Sequence, residues 1–345
     1  MRLSLITDAW RPQINGVVTA LEHTVAELEA MGHEVDVISP EGSPTVPLPG
    51  YAEIRLAMDP GRKVRRRLRE FGPDAVHIVT EGPLGLAARL HCRRRAWPFT
   101  TSFHTRFPEY VNARLPFVPV RWGYAFLRWF HGAAERTMVT NEPLRRELAA
   151  QGLKNLVHWP RGVDTERFQP REKGELAVER PVFLYLGRVA VEKSVEDFLA
   201  LDLPGTKVVV GDGPAREGLE KAHPEAEFLG FRTGEALART LADADVFVFP
   251  SRTDSLGLVL YEALACGVPI AAYPVTGPNN VVAPGVTGYL DEDLGRAARA
   301  ALELDPADCR RAAECTSWRE CTEAFTANLA PLSAPAFAAP TETGG

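Results

Sequence analysis

Residues 245–273 place a strand, a turn, a helix and a second strand in immediate succession, and few folds accept that order. Asp245-Val-Phe-Val-Phe249 is a short apolar run rich in β-branched and aromatic residues, the pattern of a buried strand. Pro269-Ile-Ala-Ala-Tyr273 reads as the next strand. Between them, Leu256 to Cys266 contains no breaker except Gly257 in its first turn, and Gly267 stands where a helix-ending glycine belongs. A helix that starts where a buried strand ends belongs to an open α/β sheet, and such sheets place ligands at the carboxyl ends of their strands. The first amides of the helix suit a phosphate, and Gly257 lets a ligand approach the backbone. Asp254 sits in the connecting loop. Glu262, eight residues on, lies in a helix that is apolar nearly all round. A carboxylate there is costly unless something meets it. Ligand hydroxyls would do so; equally, a buried basic side chain would, with Asp254 or Ser255 acting only as a helix cap.

The same alternation runs through the chain in two series. Leu3–Ile6 is a strand, Thr7–Gly16 a loop, and Val17, Val18, Leu21, Val25, Leu28 and Met31 recur at helical spacing until Gly32. Strands follow at Glu34–Ile38, Ala75–Val79, Phe99–Phe103 and Thr137–Thr140, with a helix from about Leu84. A turn-rich linker spans 161–180. The second series then has strands at Val182–Leu186, Lys207–Val210, Glu227–Leu229, Val246–Phe249 and Ile270–Ala272. The expected division is a first domain over 1–160, a linker over 161–180 and a second domain over 181–315. A last helix at about 316–330 packs back on the first domain, and a disordered tail rich in Ala, Pro, Thr and Gly covers 333–345.

A length of 345 residues favours two cores over one. Five cysteines, odd in number and without a CxxC pair, suit a reducing compartment. No apolar stretch approaches a membrane span, and Asp8 and Arg11 break the opening apolar run, so no signal peptide is expected and the expected location is cytoplasmic. Net charge is −6, but Arg62 to Arg146 holds 17 Lys and Arg against six Asp and Glu. That excess points to an anionic partner, although a solvated helix face accounts for Arg62-Lys-Val-Arg-Arg-Arg67 as well.

Several strand ends carry residues fit for chemistry. Gly187-Arg-Val-Ala-Val-Glu-Lys193 sets two cations, Arg188 and Lys193, after a strand, where they would neutralise a diphosphate. Gly211-Asp-Gly-Pro214 also ends a strand, with Pro214 placed as the first residue of a helix. It lacks the third glycine of a dinucleotide fingerprint, which argues against a dehydrogenase. His104 lies just past a strand end without any Ser/His/Asp order or zinc-type spacing. Asp243-Ala-Asp245 and Asp291-Glu-Asp293 formally match a metal-binding DxD. The first precedes its strand and the second reads as a solvated turn, so no metal is expected.

Taken in order, these pieces resemble the family 4 retaining glycosyltransferases. The resemblance rests on the Asn15-Gly16 loop, Ser102-Phe-His-Thr105, Arg161-Gly-Val-Asp164, Gly187-Arg188 with Glu192-Lys193, and the acidic pair Asp254 and Glu262. It covers nearly the whole chain and is nearest in look to GDP-mannose-dependent α-mannosyltransferases and to sulfoquinovosyl- or glycosyl-diacylglycerol synthases. It implies an α/β fold of the GT-B type, two Rossmann-like doubly wound domains facing across a cleft. By resemblance, Arg188 and Lys193 bind the donor diphosphate, and Asp254, Ser255, Gly257 and Leu258 hold the transferred sugar and its phosphate. Glu262 holds the ribose, His104 faces the donor sugar, and Gly16 lies beside the phosphates. Gly187, Gly211 and Gly213 line the nucleotide, with Phe231 near the base. Asp254 is one methylene shorter than the family's usual Glu, and Leu256 stands where Phe is usual.

The resemblance implies a hexosyltransferase using a UDP- or GDP-sugar, with no cofactor and no metal. Its partners are then the nucleotide sugar and a lipid acceptor at an anionic membrane surface. No nucleic-acid partner and no obligate protein partner are expected. Trp97, Phe99, Tyr110, Phe117, Trp122, Tyr124, Phe126, Trp129 and Phe130 lie among the arginines of the first half, and Gly123–Phe130 would present an amphipathic face. A buried helix explains the same aromatics. An α-mannosyltransferase acting on a polyprenol-linked or soluble glycan is the alternative acceptor reading. A GT-B-fold epimerase or phosphorylase, or a noncatalytic nucleotide-sugar binder, is the alternative of another class.

Overall fold

The computed structural model describes residues 1–13, 15–48, 51–114, 117–252, 257–314 and 317–332. The chain divides into two compact units. One is Met1–Pro160 together with the chain from Cys321 onward; the other is Arg161–Glu320.

The first unit opens with β1 (Arg2–Ile6), α1 (Gly16–Ala30) and β2 (Glu34–Ile38). Asn15 starts α1 by accepting the amides of Val17 and Val18 at 3.0 and 3.1 Å, so Gly16 is the first helical residue, not the last of a loop. An antiparallel hairpin follows, β3 (Thr45–Leu48) and β4 (Tyr51–Ala57), then α2 (Pro60–Phe71). Asp59 caps α2 and Pro60 fills its first position. Only Val64 and Leu68 of α2 are buried, while Arg62, Arg65, Arg66 and Arg69 are exposed. The basic run is therefore the outer face of an ordinary surface helix. The unit continues with β5 (Ala75–Ile78), α3 (Pro83–Arg94), β6 (Thr100–Ser102), α4 (Phe107–Arg114), α5 (Val120–His131), β7 (Arg136–Val139), α6 (Glu142–Ala150) and β8 (Leu156–His158). Its six-stranded sheet is parallel throughout, in the order β2-β1-β5-β6-β7-β8.

The second unit repeats the scheme: β9 (Val182–Leu186), α7 (Val195–Leu199), β10 (Thr206–Val210), α8 (Arg216–Ala222), β11 (Glu227–Gly230), α9 (Gly234–Ala242), β12 (Val246–Phe249), α10 (Leu258–Ala265), β13 (Ile270–Ala272), β14 (Gly288–Leu290), α11 (Leu294–Ala301) and α12 (Pro306–Glu314). Its parallel sheet has the order β11-β10-β9-β12-β13-β14. The direction of winding reverses at β9, so the ends of β10, β9 and β12 lie side by side at the place where such sheets take ligands. Helices cover both faces. Leu184, Val208, Val210 and Phe247 face one core, and Phe183, Tyr185, Val209 and Val248 face the other.

The chain returns to the first unit through α13 (Trp318–Ala327). Phe325 and Leu329 join Leu3, Leu5, Met138 and Trp159 in one core cluster, and a bridge pairs Pro331 with Ala75. Among the described residues no helix is long and apolar enough to cross a membrane.

Two local expectations are corrected. Gly257 is the N-cap of α10, in a left-handed conformation (φ +80°), instead of lying in the helix's first turn. Pro214 is not helical: the Ala215 amide donates to Val189 O at 3.1 Å, which ties that stretch to the loop after β9, and α8 begins at Arg216. The tail expected over 333–345 lies outside the described residues, as does Cys315.

Candidate active site

The loops after β9 and β10 touch backbone to backbone. Gly187 N donates to Val210 O at 3.0 Å and Val189 N to Asp212 O at 2.9 Å. A Cβ on Gly211 would stand 1.9 Å from Gly187 O, so no other residue fits there without moving a strand end. Gly213 packs in the same way on Val189 O. This seam fixes the start of the segment that carries the two cations. The Tyr185 hydroxyl donates to Arg188 O at 2.8 Å, and a single 3-10 turn, Val191–Lys193, sets Lys193 one turn further on. Both cationic residues are half-buried. Phe231, which follows β11, is 51% exposed.

The loop after β12 supplies the third wall. Ser251 is wholly buried, and its Oγ finds no hydrogen-bond partner among the described residues. Asp254 and Ser255 lie outside the described residues. Beyond them, Gly257 turns the chain into α10; the Leu260 amide donates back to Gly257 O at 3.0 Å, and those of Leu258 and Val259 precede the first intrahelical bond.

Glu262 sits on the second turn of α10 and is half-buried as a residue. Desolvation pushes its carboxyl up to about 7; Arg167 pulls it down and Asp164 pushes it further up. Arg167 is itself paired with Asp164 at 3.6 Å, so its charge is shared. The result is a carboxyl ready to accept hydrogen bonds and, among the described residues, without an ion pair of its own.

In the first unit, His104 follows β6 and is half-buried, with its ring edge-on to Trp159 at 6.0 Å and its Nε2 2.8 Å from Ser102 Oγ. Gly16 is exposed at the start of α1. The amides beside it are already capped by Asn15. The loop after β1 is closed by Asp8, which accepts from Leu84 N at 3.0 Å and Thr80 Oγ1 at 3.0 Å. Burial pushes the Asp8 carboxyl up, against those hydrogen bonds.

The two DxD sequences are taken up by the fold. Asp243 accepts from Gly174 N and Leu176 N at 2.7 and 2.6 Å, and Asp245 from Val182 N at 2.7 Å and Arg180 at 2.6 Å. Asp293 caps α11 and Asp291 pairs with Arg296 at 2.6 Å. Among the described residues, no group of three His, Cys, Asp or Glu is placed to hold a metal ion.

Sequence reasoning placed Gly187, Arg188, Lys193, Gly211, Gly213, Phe231, Gly257, Leu258 and Glu262 in one unit; the structure puts the first eight in the segments that follow strands of one sheet and Glu262 a turn into α10. It missed Ser251, since a serine after a proline reads as part of a turn, and it missed Arg167 and Asp164 as neighbours of Glu262.

Comparison with known proteins agrees with this geometry. The family model for Glycosyltransferase Family 4 matches residues 14–167, and that for Glycosyl transferases group 1 matches 180–304. A GDP-mannose-dependent alpha-mannosyltransferase of Mycobacterium tuberculosis is 31% identical over 316 residues, 84% of this chain and 83% of that one. An alpha-monoglucosyldiacylglycerol synthase of Streptococcus pneumoniae is 25% identical over 351 residues, 89% of this chain and 79% of that one. Among solved structures, Anabaena Alr3699/HepE in complex with UDP superposes with a TM-score of 0.67 at 14% identity, covering 94% of this chain and 98% of that one. Two Rossmann-like units with paired cations and a helix N-terminus at the strand ends are the GT-B architecture of nucleotide-sugar-dependent glycosyltransferases. The chain belongs to glycosyltransferase family 4.

Proposed function

We propose that the protein moves a hexosyl unit, with retention of configuration, from a UDP- or GDP-sugar to a lipid acceptor at an anionic membrane surface, in the synthesis of a diacylglycerol-type glycolipid. The observation that carries the lipid reading is the outer face of α5. Trp122, Phe126 and Trp129 are 62%, 39% and 49% exposed at helical spacing, with Phe117 78% exposed just before them. Arg121 and Arg128 are exposed on the adjoining stripe. Tyr124, Leu127 and Phe130 are buried on the opposite side, so the helix is anchored in the core and shows a second apolar stripe outward. Aromatics bordered by arginines suit the headgroup region of an anionic bilayer. The relative named as a glucosyldiacylglycerol synthase supports the same acceptor class. The protein then works as a peripheral enzyme on the inner face of the cytoplasmic membrane.

The hard step is breakage of the anomeric C–O bond as negative charge develops on the departing diphosphate. Arg188 and Lys193 neutralise that charge, and the amides of Gly257 and Leu258 add the positive end of α10. These groups supply what a metal would otherwise supply, so transfer is metal-independent. Glu262 accepts the ribose hydroxyls, Phe231 borders the base, and Gly187, Gly211 and Gly213 let the backbone approach the nucleotide. Asp254 and Ser255 hold the transferred sugar with its phosphate. A second reading, mannosyl transfer from GDP-mannose to a polyprenol-linked or soluble glycan, has the mycobacterial relative in its favour.

The deciding experiment offers UDP- and GDP-sugars to the purified protein, with and without anionic vesicles containing diacylglycerol, and measures glycolipid. The expected result is lipid-dependent transfer with one donor, lowered at least a hundredfold in Arg188→Ala and in Glu262→Ala. Donor binding without transfer to any lipid would sink the glycolipid reading and favour the soluble or polyprenol-linked acceptor.

A further inference from the structure

The first sheet has a change of winding of its own. From β1 the chain goes to β2 on one side, and β5 lies on the other. The crevice outside the carboxyl ends of β1 and β5 is therefore where such a sheet takes a ligand. Two carboxyl residues stand there, Asp8 just after β1 and Glu81 just after β5. Asp8 is used by the fold. It accepts from Thr80 Oγ1 and Leu84 N at 3.0 Å each, and a Cβ on Gly82 would stand 2.5 Å from its carboxyl carbon. These contacts fix the short loop that carries Glu81.

Glu81 is held by a different element. His131, the last residue of α5, is buried, and its Nε2 lies 3.1 Å from Glu81 Oε1. The other ring nitrogen, Nδ1, is 2.9 Å from Thr101 Oγ1, which is 2.9 Å from Thr137 Oγ1. The rings of Phe103 and Phe130 flank the imidazole at 6.4 and 5.1 Å. An ionised carboxyl only accepts, so Nε2 donates to Glu81 whether the ring carries one proton or two. Only 8% of the Glu81 side chain is exposed. Its Oε2 has no hydrogen-bond partner among the described residues, yet it is not sealed from solvent. Most of the side chain is already withdrawn from water, so a ligand donor there meets an acceptor that gives up little hydration.

The charges select the ligand. Burial pushes the Asp8 carboxyl up, and the Glu81 charge adds to that push, so the two groups lie within electrostatic reach. A phosphate or carboxylate brought to this pair is repelled. The helix ends that would offset the repulsion are already capped, α1 by Asn15 and α3 by Asp8. An uncharged hydroxyl that donates is what suits the place.

We propose that Glu81 binds the acceptor of transfer, taking on Oε2 a hydrogen bond from a hydroxyl of an uncharged glycerol- or sugar-type group, and that His131 is the positioning residue that aims it. This rests on the reading that the protein transfers sugar to a hydroxyl. Whether that hydroxyl belongs to a lipid or to a soluble sugar, the recognition is the same.

The test is transfer by the full chain to two acceptor probes, diacylglycerol in anionic vesicles and methyl α-mannoside in solution. The probe that the wild type uses names the source of the hydroxyl. With it, Glu81→Gln is expected to raise the acceptor KM about tenfold and to leave the donor KM within about twofold, because the amide oxygen turns to His131 and the carboxylate acceptor is lost. His131→Phe, which keeps a ring beside Phe103 and Phe130, raises the same KM. His131→Gln, whose amide donates in place of Nε2, brings it back toward the wild type. A purely structural role would instead lower the unfolding temperature and disturb the donor KM as well, without rescue by Gln. An unchanged acceptor KM in Glu81→Gln, with transfer intact in the wild type, overturns the proposal and leaves the functional reading standing. Transfer to neither probe counts against the functional reading and takes the proposal with it. Where His131→Phe does not fold, Glu81→Gln decides alone.

Discussion

Glu262 is a carboxyl that the fold holds out of its preferred state. Its pKa is raised from 4.5 to about 7, so the sign of its effect on stability is fixed. Below pH 4.5 it is neutral in both folded and unfolded chains and costs nothing. Between pH 4.5 and about 7 the unfolded chain ionises and the folded one resists, so stability is lost across that window and levels off above it. The full loss is about 3 kcal/mol. Urea unfolding at pH 5 and pH 8 should show that fall in the wild type, and Glu262→Gln should remove most of it. The cause was visible early, because a carboxylate on an otherwise apolar helix is an anomaly in any reading. Its neighbours Arg167 and Asp164 were not, because only folding brings them within range.

At the scale of elements, the parallel strands were legible because strands buried on both faces read as continuous apolar runs, as in Val182–Leu186 and Val246–Phe249. The β3–β4 hairpin was not, since it stands outside the main sheet and carries Pro47 in its first strand. Strand β14 was missed because three residues opening on a glycine give no period to detect. Helix α5 shows a subtler limit. Its sequence allows both an amphipathic face and a buried one, and the structure has both, on opposite sides. Trp122 belongs wholly to the outer side. Trp122→Ser is expected to weaken cosedimentation with anionic vesicles about tenfold, roughly 1.4 kcal/mol, while unfolding stability stays within about 0.5 kcal/mol of the wild type. Equal loss of both would mean that the stripe serves the fold.

For the whole molecule the decisive element is α13. Phe325 is fully buried, 4.8 Å from the Trp159 ring and 4.9 Å from that of His77. Arg136 donates to Asn328 O and Leu329 O at 3.1 and 3.2 Å, Asn328 Nδ2 to His158 O at 3.0 Å, and Leu332 N to Asp74 O at 2.7 Å. Phe325→Ala should cost the first unit about 3–5 kcal/mol. Limited proteolysis at rising urea should then cut 1–160 earlier and leave 161–320 as resistant as before; equal weakening of both would contradict the division of the core. The partners that α13 meets in the first unit were not readable in the sequence, because only folding brings residues so far apart in the chain together.

A ribosome makes this chain in one direction. When Pro160 emerges, the surface of Leu3, Leu5, Met138 and Trp159 that Phe325 and Leu329 will cover is still bare, and at about 5–20 residues per second it stays so for on the order of 10–30 s. The half that is made first is thus the half that finishes last, and in the interval its open apolar surface is a natural place for a chaperone.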